Sequence, residues 1–363
     1  MNIAFFGSSL VSAYWNGAAT YYRGLLRALS RRGHAITFYE PDAFDRQKHR
    51  DIPDPDWARV VVYDATEKAA IEALRDARAA DVLVKASGVG VFDDLLAEAV
   101  LEARRPHALA VYWDVDAPAT LDLLRRQPHN PLVSLIPDYD LVFTYGGGER
   151  VVAEYLRHGA RACVPVYNAL DPETHFPVPA EPQFAADLSF VGNRLPDREA
   201  RVASFFLEAA RLSPTRRFLL GGSGWHDCPL PTNVTAIGHV YTGQHNAVNC
   251  SALAVLNINR ESMVEFGFSP PTRVFEAAGA AACLITDAWR GIELFLEPQE
   301  EVLVAADGAE VAALLVELTP ERAQQIGTAA RRRILANHTY DARARIVEHT
   351  LTGTHAEAGE VPQ

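Results

Sequence analysis

The chain has 363 residues, of which 48% are hydrophobic and 22% are charged, and these values are typical of a globular protein with two or three domains. Asp and Glu number 46 against 34 Lys and Arg, so the net charge is −12. This acidic surplus argues against nonspecific binding to nucleic acids or anionic membranes. The four cysteines form no CxxC pair, which argues against a disulfide scaffold or a structural zinc site.

The N-terminal residues lack the basic region of a signal peptide, and no run of 18 apolar residues occurs. We therefore expect a cytoplasmic protein without a membrane span.

The first half of the chain alternates short apolar runs with amphipathic segments. Strands are predicted at residues 3–6, 36–39, 60–63, 82–85, 108–113, 141–144 and 162–166, and helices at 21–30, 67–79 and 92–104. Strands alternating with helices indicate βαβ units and a parallel sheet. Parallel strands are buried on both faces, which explains why these runs are apolar throughout.

Prolines crowd residues 171–186 and predict an extended linker, because proline lacks an amide donor and disfavours helix before it. A second alternation follows the linker. Its strands are predicted at 188–191, 218–220, 234–237, 254–258, 283–286 and 302–305, and its helices at 198–211, 272–280, 308–318, 320–336 and 341–351. The pattern predicts an α/β protein with two Rossmann-like, doubly wound domains, over residues 1–170 and 187–340. They would face each other across a cleft, with a helix at 341–352 and a flexible tail at 353–363.

Ligands of doubly wound sheets bind beyond the carboxyl ends of the strands, so the loops there hold the candidate site residues. In the second domain, Gly192 and Asn193 follow a strand directly, and Arg194 and Arg198 add guanidinium groups that suit phosphate oxygens. An ordinary turn with solvated arginines is the alternative. Gly222 belongs to a glycine cluster in the next loop, where the backbone can approach a ligand closely. His239 and Tyr241, in the loop after the following strand, suit a nucleobase. A plain loop is the alternative for His239 and Tyr241.

Residues 265–279 contain the most informative segment. Ser269 is a good N-cap, and prolines follow it into a first helical turn. A helix starting there directs its free amides towards an anion, near Thr272. Arg273 and Glu276 share a helix face because they are three residues apart, and they suit a phosphate and a ribose one turn further on. The alternative is a surface ion pair, which contributes only about a few tenths of a kcal/mol to stability.

The order of several motifs resembles the CgeB-like (spore maturation protein) family. These motifs are Phe190-Val191-Gly192, Gly238-His239-Val240, SPPTRVFEAAG at 269–279, Leu284-Ile285-Thr286-Asp287 and Glu293-Leu294-Phe295. The resemblance covers about residues 187–340 and implies a glycosyltransferase of the GT-B fold, related to the retaining family-4 type. It implies that the second domain binds a nucleotide-sugar donor and the first an acceptor. Glu276 would then bind the ribose, Arg273 and the Arg194 region would lie near the diphosphate, and the last helix would cross back onto the first domain.

The first domain offers acceptor-side candidates under this interpretation. Ser8 follows the first strand, Asn16 and Gly17 precede the first helix, and Gly146 follows a later strand. An ordinary strand–helix connection is the alternative for each loop.

Asp114 and Asp116 form a DxD string after the strand at 108–113. Carboxylates suit divalent metals, but the two-domain layout favours a role in binding acceptor hydroxyls or acting as a base. Asp116 as a helix cap is the alternative.

The resemblance, with the arginine-rich loops of the second domain, implies a hexosyltransferase that uses a nucleotide sugar, with a UDP-sugar as the expected donor substrate, no separate cofactor and no bound metal. Two alternatives stay open at this point: a nucleotide-sugar epimerase, and a non-catalytic nucleotide- or sugar-binding protein of a cell-surface assembly pathway. Neither the acceptor nor the sugar follows from the sequence.

Overall fold

The protein is described by a computed structural model that covers residues 1–359, with side chains through residue 354. The chain divides into two compact units. The first comprises residues 1–168 and the chain from Tyr340 onward, and the second comprises Ala169–Thr339. None of the helices within residues 1–359 combines the length and apolar character needed to cross a membrane.

The first unit is built on a seven-stranded parallel sheet. Its strands are β1 (Asn2–Phe6), β2 (Ala35–Asp42), β3 (Arg59–Asp64), β4 (Val82–Ala86), β5 (Leu109–Asp114), β6 (Leu141–Thr144) and β7 (Cys163–Pro165), in the order β3-β2-β1-β4-β5-β6-β7. Its first six helices are α1 (Ala19–Arg31), α2 (Glu67–Ala77), α3 (Asp93–Ala103), α4 (Ala117–Arg126), α5 (Pro131–Leu135) and α6 (Gly148–Arg157). The central strands are buried along their length, as expected for a sheet covered on both faces.

The second unit repeats this architecture with six parallel strands. They are β8 (Ala186–Val191), β9 (Phe218–Gly221), β10 (Val234–Gly238), β11 (Ala252–Asn257), β12 (Leu284–Asp287) and β13 (Leu303–Ala305), in the order β10-β9-β8-β11-β12-β13. Its helices are α7 (Pro196–Val202), α8 (Glu208–Leu212), α9 (His245–Ser251), α10 (Glu261–Phe266), α11 (Thr272–Gly279), α12 (Gly308–Glu317) and α13 (Pro320–Asn337). A π-helical turn at Ala203–Leu207 joins α7 to α8. All thirteen predicted strands are confirmed.

Residues 171–186 lie within the second unit and pack onto it. Leu170 donates its amide to the carbonyl of His338, and Phe184 joins a buried cluster with Val248. His175 is buried. This segment therefore supplies side chains to the unit as well as connecting it to the first.

The last helix, α14 (Tyr340–Gly359), packs on α1 within the first unit. Glu348 on α14 forms an ion pair with Arg32, directly after α1, and its Oε1 lies 3.3 Å from His34 Nε2. Val347 and Leu351 are buried. The predicted helix at 341–352 thus continues to Gly359, and the rest of the predicted tail, residues 360–363, lies outside the described part of the chain.

Val347→Ala should destabilise the protein, because the Val347 side chain is 0% exposed and its removal leaves unfilled space. We expect a loss of roughly 1–3 kcal/mol in the free energy of unfolding. The matched control is Ile346→Ala in the same helix, where the side chain is 39% exposed, and it should cost roughly half a kcal/mol or less. Urea denaturation measures both. Equal losses would show that α14 does not bury this face.

Candidate functional site

The topology of the second unit places a switch point beside β8, whose neighbours are β9 and β11. From β8 the chain continues to β9 on one side, and from β11 it continues to β12 on the other side, so the loops after β8 and β11 diverge and leave room for a ligand. The residues described below lie around this end of the sheet or on α11.

The loops after β8, β9 and β10 are tied together by backbone hydrogen bonds. The amide of Gly192 donates to the carbonyl of Gly221 (2.9 Å), and the amide of Gly222 donates to that of Gly238 (2.6 Å). Asn193 accepts from the amide of Ser223 through Oδ1 (2.9 Å). Gly222 has φ +115°, and a Cβ there would lie 2.2 Å from the carbonyl oxygen of Gly192. The close approach that requires glycine is thus between two loops of the protein.

Arg194 is committed to two carboxylates. Its Nη1 lies 2.6 Å from Asp227 Oδ1, and its Nη2 lies 2.6 Å from Glu199 Oε1. These partners occupy the guanidinium, so the structure gives Arg194 a part in joining the loops. It does not present Arg194 as an unpaired cation for a diphosphate.

Arg198 and Arg273 form a pair of cations around the ring of Phe190, the penultimate residue of β8. Their guanidinium carbons lie 5.7 and 5.4 Å from the ring centroid. Burial and the neighbouring charge of Arg273 lower the pKa of Arg198 to about 10, and burial also lowers the pKa of Arg273. Nε of Arg198 is buried without a hydrogen-bond partner among the described residues. Two desolvated like charges side by side favour the binding of an anion.

Helix α11 begins at Thr272, as the predicted helix at 272–280 does, and ends at Gly279. Pro271 is its N-cap residue, and no side chain caps it. The prediction that Ser269 caps this helix was wrong: its hydroxyl donates to the carbonyl of Gly267 (3.0 Å) and is buried. The chain turns sharply before the helix because Gly267 and Phe268 both have positive φ, at 72° and 47°. Thr272 therefore occupies the first turn.

Glu276 lies one turn into α11 and meets two histidines. His175 Nε2 is 3.9 Å from Glu276 Oε1, and the Glu276 side chain is 13% exposed. Burial alone would raise the pKa of Glu276, but coulombic interactions with His175, His245 and Arg273, together with a hydrogen bond from Thr272, hold the pKa below its usual range. Glu276 is therefore an ionised, largely desolvated acceptor. Burial lowers the pKa of His245, which makes its imidazole neutral at pH 7.

The position of His175 depends on several local contacts. Thr174 Oγ1 lies 3.0 Å from His175 Nδ1, and Asn246 donates to the carbonyl of Thr174 (2.9 Å). Gly279 allows the segment to approach α11, since a Cβ there would lie 3.0 Å from the His175 carbonyl oxygen. His175 is the residue of this group that the sequence analysis missed, because it lies in the proline-rich segment.

The other predicted aromatic and histidine positions lie further towards solvent. His239 and Tyr241 contact each other edge to face, with ring centroids 4.6 Å apart, and both are exposed. His226 is also exposed. Of His226, His239 and His245, which lie within twenty residues of one another in the sequence, His245 alone contributes to the group around Glu276.

A buried network braces the ends of β11 and β12. Asp287 is fully buried and accepts from Arg201 Nη2 (2.6 Å) and from the amide of Asn259 (3.1 Å). Asn257 donates to Asn259 Oδ1 and to Thr286 Oγ1, both at 3.0 Å. These residues keep the carboxyl end of the sheet rigid beside the cation pair.

In the first unit, the predicted acceptor-side residues take part in loop structure. Ser8 donates to Asn16 Oδ1 (2.9 Å), and Asn16 Nδ2 donates to the carbonyls of Ser9 (2.9 Å) and Ser12 (3.0 Å). Gly146 is buried, whereas Gly17 is exposed, and a Cβ added to Gly17 would meet no atom within 4 Å among the described residues. These hydrogen bonds hold the loop after β1 in place.

Asp114 is fully buried at the end of β5. Its Oδ1 accepts from Ser87 (2.7 Å), Thr120 (3.0 Å) and the amide of Asp116 (3.0 Å), and its Oδ2 accepts from Tyr155 (2.5 Å). Burial raises the pKa of Asp114 above its usual range. All of these donors belong to the first unit, so the structure uses this carboxylate to bind its own loops. Asp116 precedes α4 without capping it by a side-chain hydrogen bond.

Comparisons with known proteins agree with this architecture. Residues 198–349 match the family model described as "Glycosyl transferase-like". Among solved structures, HepE of Anabaena, in complex with UDP and glucose, has 14% identity and a TM-score of 0.67 over 97% of this chain and 100% of that chain. Sucrose-phosphate synthase of Thermosynechococcus elongatus has 15% identity and a TM-score of 0.70 over 98% and 100%.

An alpha-glucosyltransferase, in complex with UDP-glucose and DNA, has 11% identity and a TM-score of 0.70 over 97% of this chain and 99% of that chain. No curated protein sequence matches this chain. The chain therefore has the GT-B fold, and its residues 198–349 are similar to the glycosyl transferase-like family.

Asp114→Asn should destabilise the first unit, because the amide nitrogen replaces an acceptor where the Tyr155 or Ser87 hydroxyl donates. We expect a loss of roughly 1–3 kcal/mol in unfolding free energy. Asp122→Asn on the exposed side of α4, where Asp122 pairs with Arg126, is the control and should cost well under about 1 kcal/mol. A stable Asp114→Asn protein that has lost only activity would assign Asp114 to catalysis.

Proposed function

We propose that this chain transfers a sugar from a UDP-sugar to an acceptor hydroxyl. The observation that carries the proposal is the desolvated cation pair of Arg198 and Arg273 at the end of β8, with Glu276 one turn further along α11. HepE was solved with UDP and glucose, and the alpha-glucosyltransferase with UDP-glucose. These ligands of proteins with the same fold support a uridine nucleotide as the donor.

The diphosphate is assigned to the two guanidinium groups. A guanidinium presents several donors in one plane, which suits phosphate oxygens. The burial that lowers the pKa of both arginines makes their charges more effective towards an anion, because the local dielectric is low. The donor contacts thus fall on Arg198 and Arg273, whereas Arg194 supports the loops around them.

The ribose is assigned to Glu276. Its ionised carboxylate has two oxygens that accept hydrogen bonds, and a ribose offers two neighbouring hydroxyl donors. Thr272 and the two histidines orient the carboxylate. The exposed pair of His239 and Tyr241, on the loop after β10, is our candidate for contact with the base.

In the proposed reaction, the bond between the anomeric carbon and the diphosphate oxygen breaks, and its electron pair leaves with UDP. The acceptor oxygen bonds to the anomeric carbon, and its proton passes to an oxygen of the leaving diphosphate. Arg198 and Arg273 stabilise the negative charge that develops on the leaving diphosphate. This role allows transfer without a metal ion on the diphosphate. We further propose retention of anomeric configuration and membership of the CgeB-like branch, both on the sequence resemblance.

Arg273→Ala and Glu276→Gln should separate the two parts of the donor site. Losing one hydrogen bond to a charged group costs roughly 1.5–3 kcal/mol, which is about ten- to a hundredfold in affinity. Arg273→Ala should weaken UDP far more than uridine. Glu276→Gln should weaken both, because both carry the ribose. Calorimetric titration of each folded variant with uridine, UDP and UDP-glucose measures these differences.

Arg194→Ala is the matched control for this experiment, and we expect its UDP affinity to stay within about twofold of wild type, since its guanidinium is already paired. Wild-type affinity in both the Arg273 and Glu276 variants would place the donor elsewhere. Binding of UDP-glucose without transfer to any acceptor would favour a non-catalytic binding protein, and conversion to an isomeric sugar nucleotide would favour an epimerase.

Transfer should proceed in EDTA, because the two arginines supply the positive charge that a metal supplies in other sites. The measurement is UDP release in EDTA, compared with the same assay after Mg²⁺ or Mn²⁺ is added. We expect rates that differ by less than about a factor of two. Complete loss in EDTA with rescue by either ion would overturn the metal-free mechanism.

A further inference from the structure

Three potential metal ligands converge beside α11 in the second unit. They are His175 before β8, His245 at the start of α9 and Glu276 on α11. One ligand atom from each lies within 4.8 Å of the others. The three residues are far apart in the chain, so the convergence is a product of the fold.

His175 directs an unpartnered nitrogen into this group. The residue is 3% exposed, and its Nε2 is buried without a hydrogen-bond partner among the described residues. The 3.9 Å separation from Glu276 Oε1 is too long for a hydrogen bond. A buried polar atom without a partner is costly in a folded protein, and a ligand at this position would satisfy it.

Each of the two imidazoles has a hydrogen-bonding group beside it. Thr174 Oγ1 lies 3.0 Å from Nδ1 of His175, and His245 forms a hydrogen bond with the backbone of Val240. The two ring centroids are 6.0 Å apart with an interplanar angle of 37°. Histidines that bind metals are commonly oriented by a hydrogen bond on the second ring nitrogen, and Thr174 provides a partner at Nδ1 of His175, whose Nε2 faces Glu276.

We propose that His175, His245 and Glu276 bind one zinc-type transition-metal ion, and that the ion and a nucleoside exclude each other. Two imidazoles and one carboxylate are a common three-ligand set for zinc, with a fourth position left open. Bound ligand atoms lie about 2.0–2.2 Å from zinc, so the side chains must close by roughly 1 Å. The exclusion rests on the proposed function, because Glu276 would otherwise bind the ribose.

The charges around the group limit the affinity. Glu276 is the one anionic ligand, and Arg273 on the same helix is a cation that interacts with both Glu276 and His245. Arg273 contacts the Phe190 ring, 5.4 Å from its guanidinium carbon. A dication therefore gains one carboxylate and two imidazole nitrogens but is opposed by one nearby positive charge.

The test uses the full chain, stripped with EDTA and dialysed, and titrated with Co²⁺ as a spectroscopic substitute for Zn²⁺. We expect one bound ion with the visible absorption of cobalt in a four- or five-coordinate nitrogen and oxygen site. His175→Gln and His245→Gln should each weaken cobalt binding by at least the roughly 10–100-fold that loss of an outer-shell partner costs at such sites. His226→Gln, an exposed histidine of the same unit, should bind cobalt like wild type. Circular dichroism checks the fold of each variant.

Wild-type protein that binds no cobalt, or folded His175 and His245 variants that bind it unchanged, would overturn the metal site. If one histidine variant does not fold, the other decides. Competition is measured with uridine, because UDP chelates metals in solution. Saturating uridine should raise the apparent cobalt dissociation constant, and uridine that binds without doing so would overturn the exclusion. Absence of any uridine or UDP binding would contradict the proposed function but would leave the cobalt result to decide the metal site.

Discussion

The close packing of α11 against the segment before β8 is the contact on which the candidate site depends. A Cβ on Gly279 would lie 2.4 Å from Leu170 Cδ1 and 3.0 Å from the His175 carbonyl oxygen. A Cβ at residue 279 would therefore require the Leu170 side chain to move and the His175 backbone to give slightly. That approach brings His175 beside Glu276 and buries both. The electrostatics of Glu276 therefore follow from a steric requirement at a residue that takes no part in binding.

Burial has opposite consequences for the charges of this site. Glu276 loses water but gains the potential of His175, His245 and Arg273, and its pKa falls below the usual range. Arg198 loses water and gains a second cation as its neighbour, so its pKa falls as well. Groups of the protein thus stabilise the charge of the Glu276 carboxylate. They do not fully offset the loss of water around the charge of Arg198. Such local instability is expected where a protein is arranged to bind a ligand.

The fold was predictable from the sequence because its determinants are local. Each parallel strand is a short apolar run between polar segments, and residues 82–86 or 141–144 show the pattern directly. Arg273 and Glu276 were also visible, since three-residue spacing on a helix fixes their shared face. His175 was not visible, because its proline-rich surroundings resemble a linker and its partners lie 70 or more residues away. The commitment of Arg194 to Asp227, 33 residues later, was hidden for the same reason.

A polar residue at the end of a strand can either hydrogen-bond the protein's own loops or bind a ligand. Contacts with residues distant in the sequence decide between these two roles. A loop that leaves a buried strand must satisfy its backbone donors, and Glu40 does this by accepting from the amide of Leu10 (2.6 Å) and the hydroxyl of Ser9 (2.9 Å). Asp114 does the same at β5. A ligand-binding residue has the same sequence environment, a polar side chain after an apolar run. The difference is whether the fold supplies partners: Asp114 has four donors in its own unit, whereas Nε2 of His175 and Nε of Arg198 have none among the described residues. In this site a bound ligand would therefore satisfy the free nitrogens of His175 and Arg198, whereas the carboxylate of Asp114 already has its partners.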